Sequence, residues 1–112
     1  MKKLILVCLL FVSTNTYAAI TVGTYLKTKN TPETLMYVAG LGHGLMAANA
    51  ELRTRGQEQI YCQPGKLAIT NEQYISYIDE ELKDPERGWL YEENWPISII
   101  LSEHLKYVFP CN

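Results

Sequence analysis

The chain has 112 residues, of which 47% are hydrophobic and 20% are charged, and its formal net charge is −2. This length accommodates one domain built around one hydrophobic core. The positive charges form no basic stripe, so nucleic acid is not an expected partner.

The first eighteen residues have the three-part pattern of a secretory signal peptide. Two lysines follow Met1, residues 4–12 form an unbroken apolar run, and Thr16–Ala18 places small residues at the −3 and −1 positions of a cleavage site. A permanent membrane helix needs about 20 apolar residues, which is more than this run supplies. We therefore expect cleavage after Ala18 and release of residues 19–112, without a membrane segment, into the periplasm.

Two cysteines remain once the leader is removed, since Cys8 lies inside the leader's apolar run. Cys62 and Cys111 form an even pair in an oxidising compartment, which predicts one disulfide. Closing a loop of about 50 residues stabilises a fold by roughly 4 kcal/mol in the chain-entropy model. The two cysteines and two histidines lack close ligand spacing, so we expect no metal site.

The first part of the mature chain contains one ambiguous segment and one clear helix start. Residues 20–30 combine β-prone and helix-prone side chains, which leaves strand and helix both open. A helix is predicted to begin at Thr31–Glu33, which provides a capping hydroxyl, a proline and an acid. The same helix is predicted to end at Gly56. The expected apolar face comprises Leu35, Val38, Leu41, Leu45, Met46, Ala48 and Leu52.

Three glycines, Gly40, Gly42 and Gly44, lie inside this helix. Each costs about 1 kcal/mol relative to alanine in a helix interior. Close approach of a second element would offset that cost, and the face shared by Gly40, Gly44 and Ala48 is where we expect it.

Two further helices are predicted after a Pro-Gly turn. Thr70 and Gln73 have capping-box spacing and begin a helix that ends at Asp84–Pro85. Its predicted apolar residues are Tyr74, Ile75, Ile78 and Leu82. The charged residues Asp79, Glu80, Glu81 and Lys83 are predicted to be exposed to solvent. The last helix is expected to begin at Asn94 or Trp95, with Pro96 in its first turn. It has the cleanest helical period in the chain, and its predicted apolar face comprises Ile97, Ile100, Leu101, His104, Leu105 and Val108. The sequence thus predicts an all-α fold of three to five helices with one disulfide.

Four segments in this order resemble a known family. They are Tyr37–Gly40, Tyr61–Pro64 with its Cys-x-Pro, Leu82–Glu86, and Val108–Cys111 with its Phe-Pro-Cys. Together they look like the Rap/Tai group of type VI secretion immunity proteins, over roughly Leu35 to Cys111.

The resemblance implies a concrete function. Proteins of this group sit in the periplasm and protect the cell from peptidoglycan-cleaving amidase effectors injected by neighbours. They are helical, disulfide-bonded and often dimeric, and they inhibit by occluding the effector's active-site cleft. The implied partners are therefore a cognate secreted cell-wall amidase and a second copy of the chain.

The segment from Glu86 to Trp95 mixes large aromatic residues with acids and otherwise reads as a loop. Aromatic residues are enriched in binding hot spots, so this segment is the candidate contact surface. The candidate residues are Glu86, Trp89, Tyr91, Glu92 and Glu93. The alternatives are that the aromatics fold over the core, which is the expectation for Trp95, and that the acids form a solvated face.

Catalysis is not expected, because no nucleophile, carboxylate pair, phosphate loop or metal motif is recognisable. We expect no catalytic residue and no cofactor. His104 lies on the apolar face of the last helix, which is typical of a packed, hydrogen-bonded histidine. The rival interpretation is a small helical, single-disulfide acid-stress chaperone, which would loosen at low pH and bind many unfolded clients.

Overall fold

The computed structural model describes residues 19–112, and this part of the chain is all-α with one disulfide. Its elements are α1 (Val22–Thr28), α2 (Pro32–Thr54), α3 (Asn71–Lys83), a 3₁₀ turn (Gly88–Leu90) and α4 (Ile97–Val108). The predicted signal peptide and Cys8 lie outside the described residues. Within residues 19–112, no helix combines the length and apolar character needed to cross a bilayer.

The segment whose structure the sequence left undecided folds as helix α1. Thr21 caps it by accepting a hydrogen bond from the Thr24 N–H at 3.3 Å, and Val22 and Tyr25 are buried. The Val22 N–H donates to the Trp95 carbonyl at 2.8 Å. The start of α1 is therefore tied directly to the residues that precede α4.

Helix α2 begins as predicted, with Thr31 as its cap and Pro32 in its first turn. It ends at Thr54, and Gly56 follows with the positive φ of 66° that favours glycine. The predicted apolar face is only partly correct. Thr34, Val38, Gly42 and Asn49 are the buried residues, whereas Leu35 and Met46 are 43% and 44% exposed.

The predicted close approach at Gly40 and Gly44 is wrong. A Cβ added at either position would meet no atom within 4 Å, whereas a Cβ at Gly42 would overlap the ring of Tyr74 from α3. The helix needs a glycine where a large neighbouring side chain crosses it, and the ring of Tyr74 crosses at Gly42. Spacing along one helix contains no information about where that ring lies.

Helices α3 and α4 supply most of the core. Helix α3 begins with the predicted capping box of Thr70 and Gln73. Helix α4 begins two to three residues later than expected, because Pro96 is its N-cap rather than part of its first turn. Ten hydrophobic side chains are buried among residues 19–112: Val22, Tyr25, Val38, Tyr61, Tyr74, Ile78, Ile97, Ile100, Leu101 and Leu105.

The disulfide joins Cys62, before α3, to Cys111, after α4, with an S–S distance of 2.01 Å. The Cys62 N–H also donates to the Phe109 carbonyl at 2.8 Å. Asn49 of α2 fixes the chain just before the cystine, because its Oδ1 accepts from the Ile60 N–H at 2.7 Å and its Nδ2 donates to the Tyr61 carbonyl at 2.7 Å. The predicted Cys62–Cys111 pairing is confirmed.

Candidate partner-binding surface

The segment between α3 and α4, residues 84–96, places one tryptophan far into solvent. Trp89 lies in the 3₁₀ turn and is 75% exposed, although tryptophan is usually well buried in a folded domain. Leu90 beside it is also exposed. We call residues 84–91 the Trp89 loop.

The side chain of Asp84 bends the Trp89 loop at its start. Its Oδ1 accepts hydrogen bonds from the Glu86 N–H at 2.8 Å and the Arg87 N–H at 3.0 Å. The hydrogen bond from Glu86, followed by the hydrogen bond and charge of Arg87, lowers the pKa of Asp84 below its usual range. An Asp-centred turn of this kind competes with the helix, and it explains why α3 stops at Lys83.

Gly88 packs the Trp89 loop directly onto the end of α3. Its N–H donates to the Asp84 carbonyl at 2.8 Å, and a Cβ at this position would overlap the carbonyl oxygen of Leu82. That oxygen belongs to the backbone, which has little room to shift. Only glycine therefore fits at residue 88 without displacing the loop from α3.

A buried carboxylate, that of Glu81 in α3, anchors the Trp89 loop through hydrogen bonds. Its side chain is fully buried, and its two oxygens accept from the Arg87 Nε at 2.8 and 3.1 Å. The Tyr91 hydroxyl donates to the same carboxylate at 3.3 Å. A buried charge is tolerated when it is paired and hydrogen-bonded, and these two loop residues supply both conditions.

The prediction that Glu81 is exposed to solvent is therefore wrong. Glu81 follows Tyr74 by seven residues and Ile78 by three, so it lies on the buried stripe of α3. That spacing is a signal that could have identified it. The sequence prediction failed because a charged residue was assigned to solvent by its type, whereas Arg87, six residues later, folds back to neutralise it.

Arg87 links the Trp89 loop to α4 as well as to α3. The carbon at the centre of its guanidinium lies 3.8 Å from the centre of the Tyr107 ring. Its Nη2 lies 3.0 Å from Asp84 Oδ2, a contact that is an ion pair without the geometry of a hydrogen bond. The hydrogen bond with Glu81 is the main cause that raises the pKa of Arg87, so the guanidinium is charged.

The five predicted contact residues divide into two groups. Trp89, Glu86, Glu92 and Glu93 have exposed side chains, and the carbonyl of Glu93 accepts from the Gly23 N–H of α1 at 2.9 Å. Tyr91 is half-buried and packs edge-on against Trp95, with ring centres 5.4 Å apart. Burial, with the charge of Glu81 adding to it, raises the pKa of Tyr91 to about 12. Tyr91 therefore positions the loop from its inner side.

His104 completes the polar interior beneath the loop. It is buried, its Nε2 lies 3.0 Å from Glu80 Oε2, and its Nδ1 lies 3.5 Å from Glu81 Oε2. The rings of Tyr77 and Tyr107 flank it at 5.2 and 6.1 Å between centres. This is the packed environment that the sequence predicted for His104.

The chemical groups on this surface are suited to binding a partner. Its features are a protruding indole, a fixed backbone and exposed carboxylates at three positions. No group of three or more His, Cys, Asp or Glu residues suited to holding a metal ion occurs within the described part of the chain. No protein-family model, curated protein or solved structure matches this chain.

Proposed function

We propose that this chain is a periplasmic immunity protein that inhibits a type VI secreted peptidoglycan amidase by binding over its active-site cleft. The observation that carries the proposal is the exposure of Trp89 on a loop that a buried ion pair fixes in place. A fixed loop loses little conformational entropy on binding, and a tryptophan buries a large area in a pocket.

In this proposal the Trp89 indole enters the mouth of the effector's cleft and excludes the peptidoglycan substrate. The inhibitor contributes no reacting group, so occupancy of the cleft is sufficient. The carboxylates of Glu86, Glu92 and Glu93 meet a basic rim on the effector. Exposed charges of this kind accelerate association and select the partner more than they tighten the complex.

The proposed compartment follows from the amino-terminal sequence pattern and the cystine. The pattern of residues 1–18 directs export, and the bond between Cys62 and Cys111 is typical of an oxidising compartment. Peptidoglycan amidases act in the same compartment. Inhibitor and effector would therefore meet where the damage occurs.

The test is replacement of Trp89 by alanine in the secreted chain. Against purified type VI amidase effectors, we expect the variant to lose at least about 2 kcal/mol of binding free energy, or about 30-fold in Kd, as for a hot-spot tryptophan. Inhibition of peptidoglycan cleavage should weaken in parallel. The thermal melt should stay nearly unchanged, because an exposed side chain contributes little to folding.

The matched control is Leu26→Ala, which truncates another exposed large apolar side chain on α1. It should leave both binding and inhibition at the level of the unmodified chain. Equal binding by the Trp89→Ala variant would contradict the assignment of the loop. Failure of the unmodified chain to inhibit any amidase, together with suppression of aggregation of many unfolded proteins at low pH, would instead support an acid-stress chaperone.

A further inference from the structure

His104 of α4 is buried, and a carboxylate faces each of its two ring nitrogens. Nε2 lies 3.0 Å from Oε2 of Glu80, and Nδ1 lies 3.5 Å from Oε2 of the fully buried Glu81. The first contact has the geometry of a hydrogen bond, whereas Nδ1 has no hydrogen-bond partner among residues 19–112. A buried polar atom without a partner requires an explanation, because leaving it unpaired costs free energy.

Neither neutral form of the His104 ring suits these surroundings. A neutral imidazole carries one N–H, which donates, and one bare nitrogen, which accepts. If Nε2 carries the proton, the bare Nδ1 faces the Glu81 carboxylate. If Nδ1 carries the proton, the bare Nε2 faces the Glu80 carboxylate at 3.0 Å. An acceptor then faces a negatively charged acceptor in both cases, and only the doubly protonated imidazolium presents an N–H to each carboxylate.

The charges around His104 have the sign that stabilises a positive ring. The titratable and charged groups near it come from α3 (Tyr77, Glu80 and Glu81), from the Trp89 loop (Asp84, Arg87 and Tyr91) and from α4 itself (Glu103, Lys106 and Tyr107). Within residues 19–112, no ion pair joins the ring to α1 or α2. Glu103 and Lys106 pair with each other at 3.0 Å, which leaves three carboxylates and one guanidinium. Burial opposes a charge on the ring, and this excess of negative charge offsets the cost.

We infer that His104 is a positioning residue of the Trp89 loop: with both ring nitrogens protonated it fastens α4 to Glu81, and the loss of one proton as the pH rises loosens the loop. The link is a shared oxygen. Glu81 Oε2, which Nδ1 faces, also accepts from the Arg87 Nε at 3.1 Å, and the same carboxylate accepts from the Tyr91 hydroxyl. A bare Nδ1 repels that oxygen, so the carboxylate that anchors the loop loses a favourable contact.

The direction of the pH effect follows from which form of the ring makes the contacts. The imidazolium of His104 holds the loop at mildly acidic pH, and its contribution disappears as the pH rises and the ring loses a proton. An acid-stress chaperone would loosen in the opposite direction, on acidification. The pH response belongs to the loop within this chain and does not require the partner to be an amidase.

The test is amide hydrogen exchange of the secreted chain at about pH 6 and about pH 8.5. Aspartate, glutamate, lysine and tyrosine ordinarily keep their charge over this interval, so His43 and His104 are the side chains expected to change theirs. Protection of the amides of Gly88, Leu90 and Tyr91, corrected for the pH dependence of exchange in unfolded peptides, should fall about 10-fold at the higher pH, the effect of one contact with a charged group. Amides of α2 are the internal reference.

Two variants distinguish titration of His104 from a general effect of pH. His104→Gln cannot gain the proton, so the loop amides should be equally protected at both pH values. Glu80→Gln replaces a side chain that is 60% exposed, and its amide N–H can donate to a bare Nε2 while Nδ1 donates to Glu81. A neutral ring then has a partner on each side, so protection should stay high at the higher pH. The control is His43→Gln, at the exposed histidine of α2, which should keep the full pH dependence.

Equal protection of the loop amides at both pH values in the unmodified chain would overturn the inference. So would a pH dependence that persists in either His104→Gln or Glu80→Gln, or one that disappears in His43→Gln. If circular dichroism shows that His104→Gln fails to fold, Glu80→Gln decides the question, because its side chain lies at the surface.

Discussion

Two regions of this molecule place polar and apolar groups in opposite ways. Beneath the Trp89 loop, α3 and α4 bury Glu81 and His104, and Arg87 pairs with Glu81 from the loop. Helix α2, which is longer than either, keeps Met36 and neighbouring small residues exposed. Residue type alone therefore does not determine which groups are buried here.

The difference follows from what each region has available within the chain. A buried carboxylate near the end of α3 is acceptable because the loop that follows returns an arginine and a tyrosine to it. On α2, by contrast, Met36, Gly40, His43, Ala47 and Ala50 are all exposed, so no segment of residues 19–112 covers them. The first region gains a rigid loop from its buried polar groups, and the second leaves Met36 and small side chains in contact with solvent.

Removing the buried charge should give the largest effect. Glu81→Gln breaks a buried ion pair and should lower the free energy of unfolding by about 3 kcal/mol in urea denaturation. The matched control is the adjacent Glu80→Gln, whose side chain is 60% exposed and which should cost at most about 1 kcal/mol. Equal losses for the two variants would show that Glu81 does not anchor the loop.

A pair of glycine substitutions should give smaller effects of opposite sign. Gly42→Ala forces the ring of Tyr74 to move and should destabilise the fold by about 1–3 kcal/mol. Gly44→Ala meets open space and should stabilise α2 by up to about 1 kcal/mol. Both changes are measured by urea denaturation. The same sign for both would mean that α2 and α3 do not meet at Gly42.

Local sequence signals predicted the features that depend on local chemistry. Thr31 and Thr70 cap their helices as expected, Cys62 pairs with Cys111, and the period of α4 correctly predicted Ile100, Leu101 and Leu105 as buried. These outcomes rest on hydrogen bonds within one turn, on the count of cysteines, or on a strong helical period.

Features that depend on another part of the chain were not predictable in the same way. The burial of Glu81 requires Arg87 to fold back, and the choice of Gly42 over Gly44 requires the position of Tyr74. The burial of Asn49 was also not predicted, because its side chain hydrogen-bonds the backbone of residues 60–61, which are distant from it in sequence. Within the candidate surface, the sequence grouped Tyr91 with Trp89, although Tyr91 donates inward to Glu81.

Hydrogen exchange with and without a cognate amidase effector tests most directly whether the Trp89 loop is the contact. The amides of Gly88, Leu90 and Tyr91 donate to backbone carbonyls of the loop and should exchange more slowly in the complex. The amides of α2 should exchange at the same rate with and without the effector. Slower exchange confined to α2, with unchanged loop amides, would contradict the account.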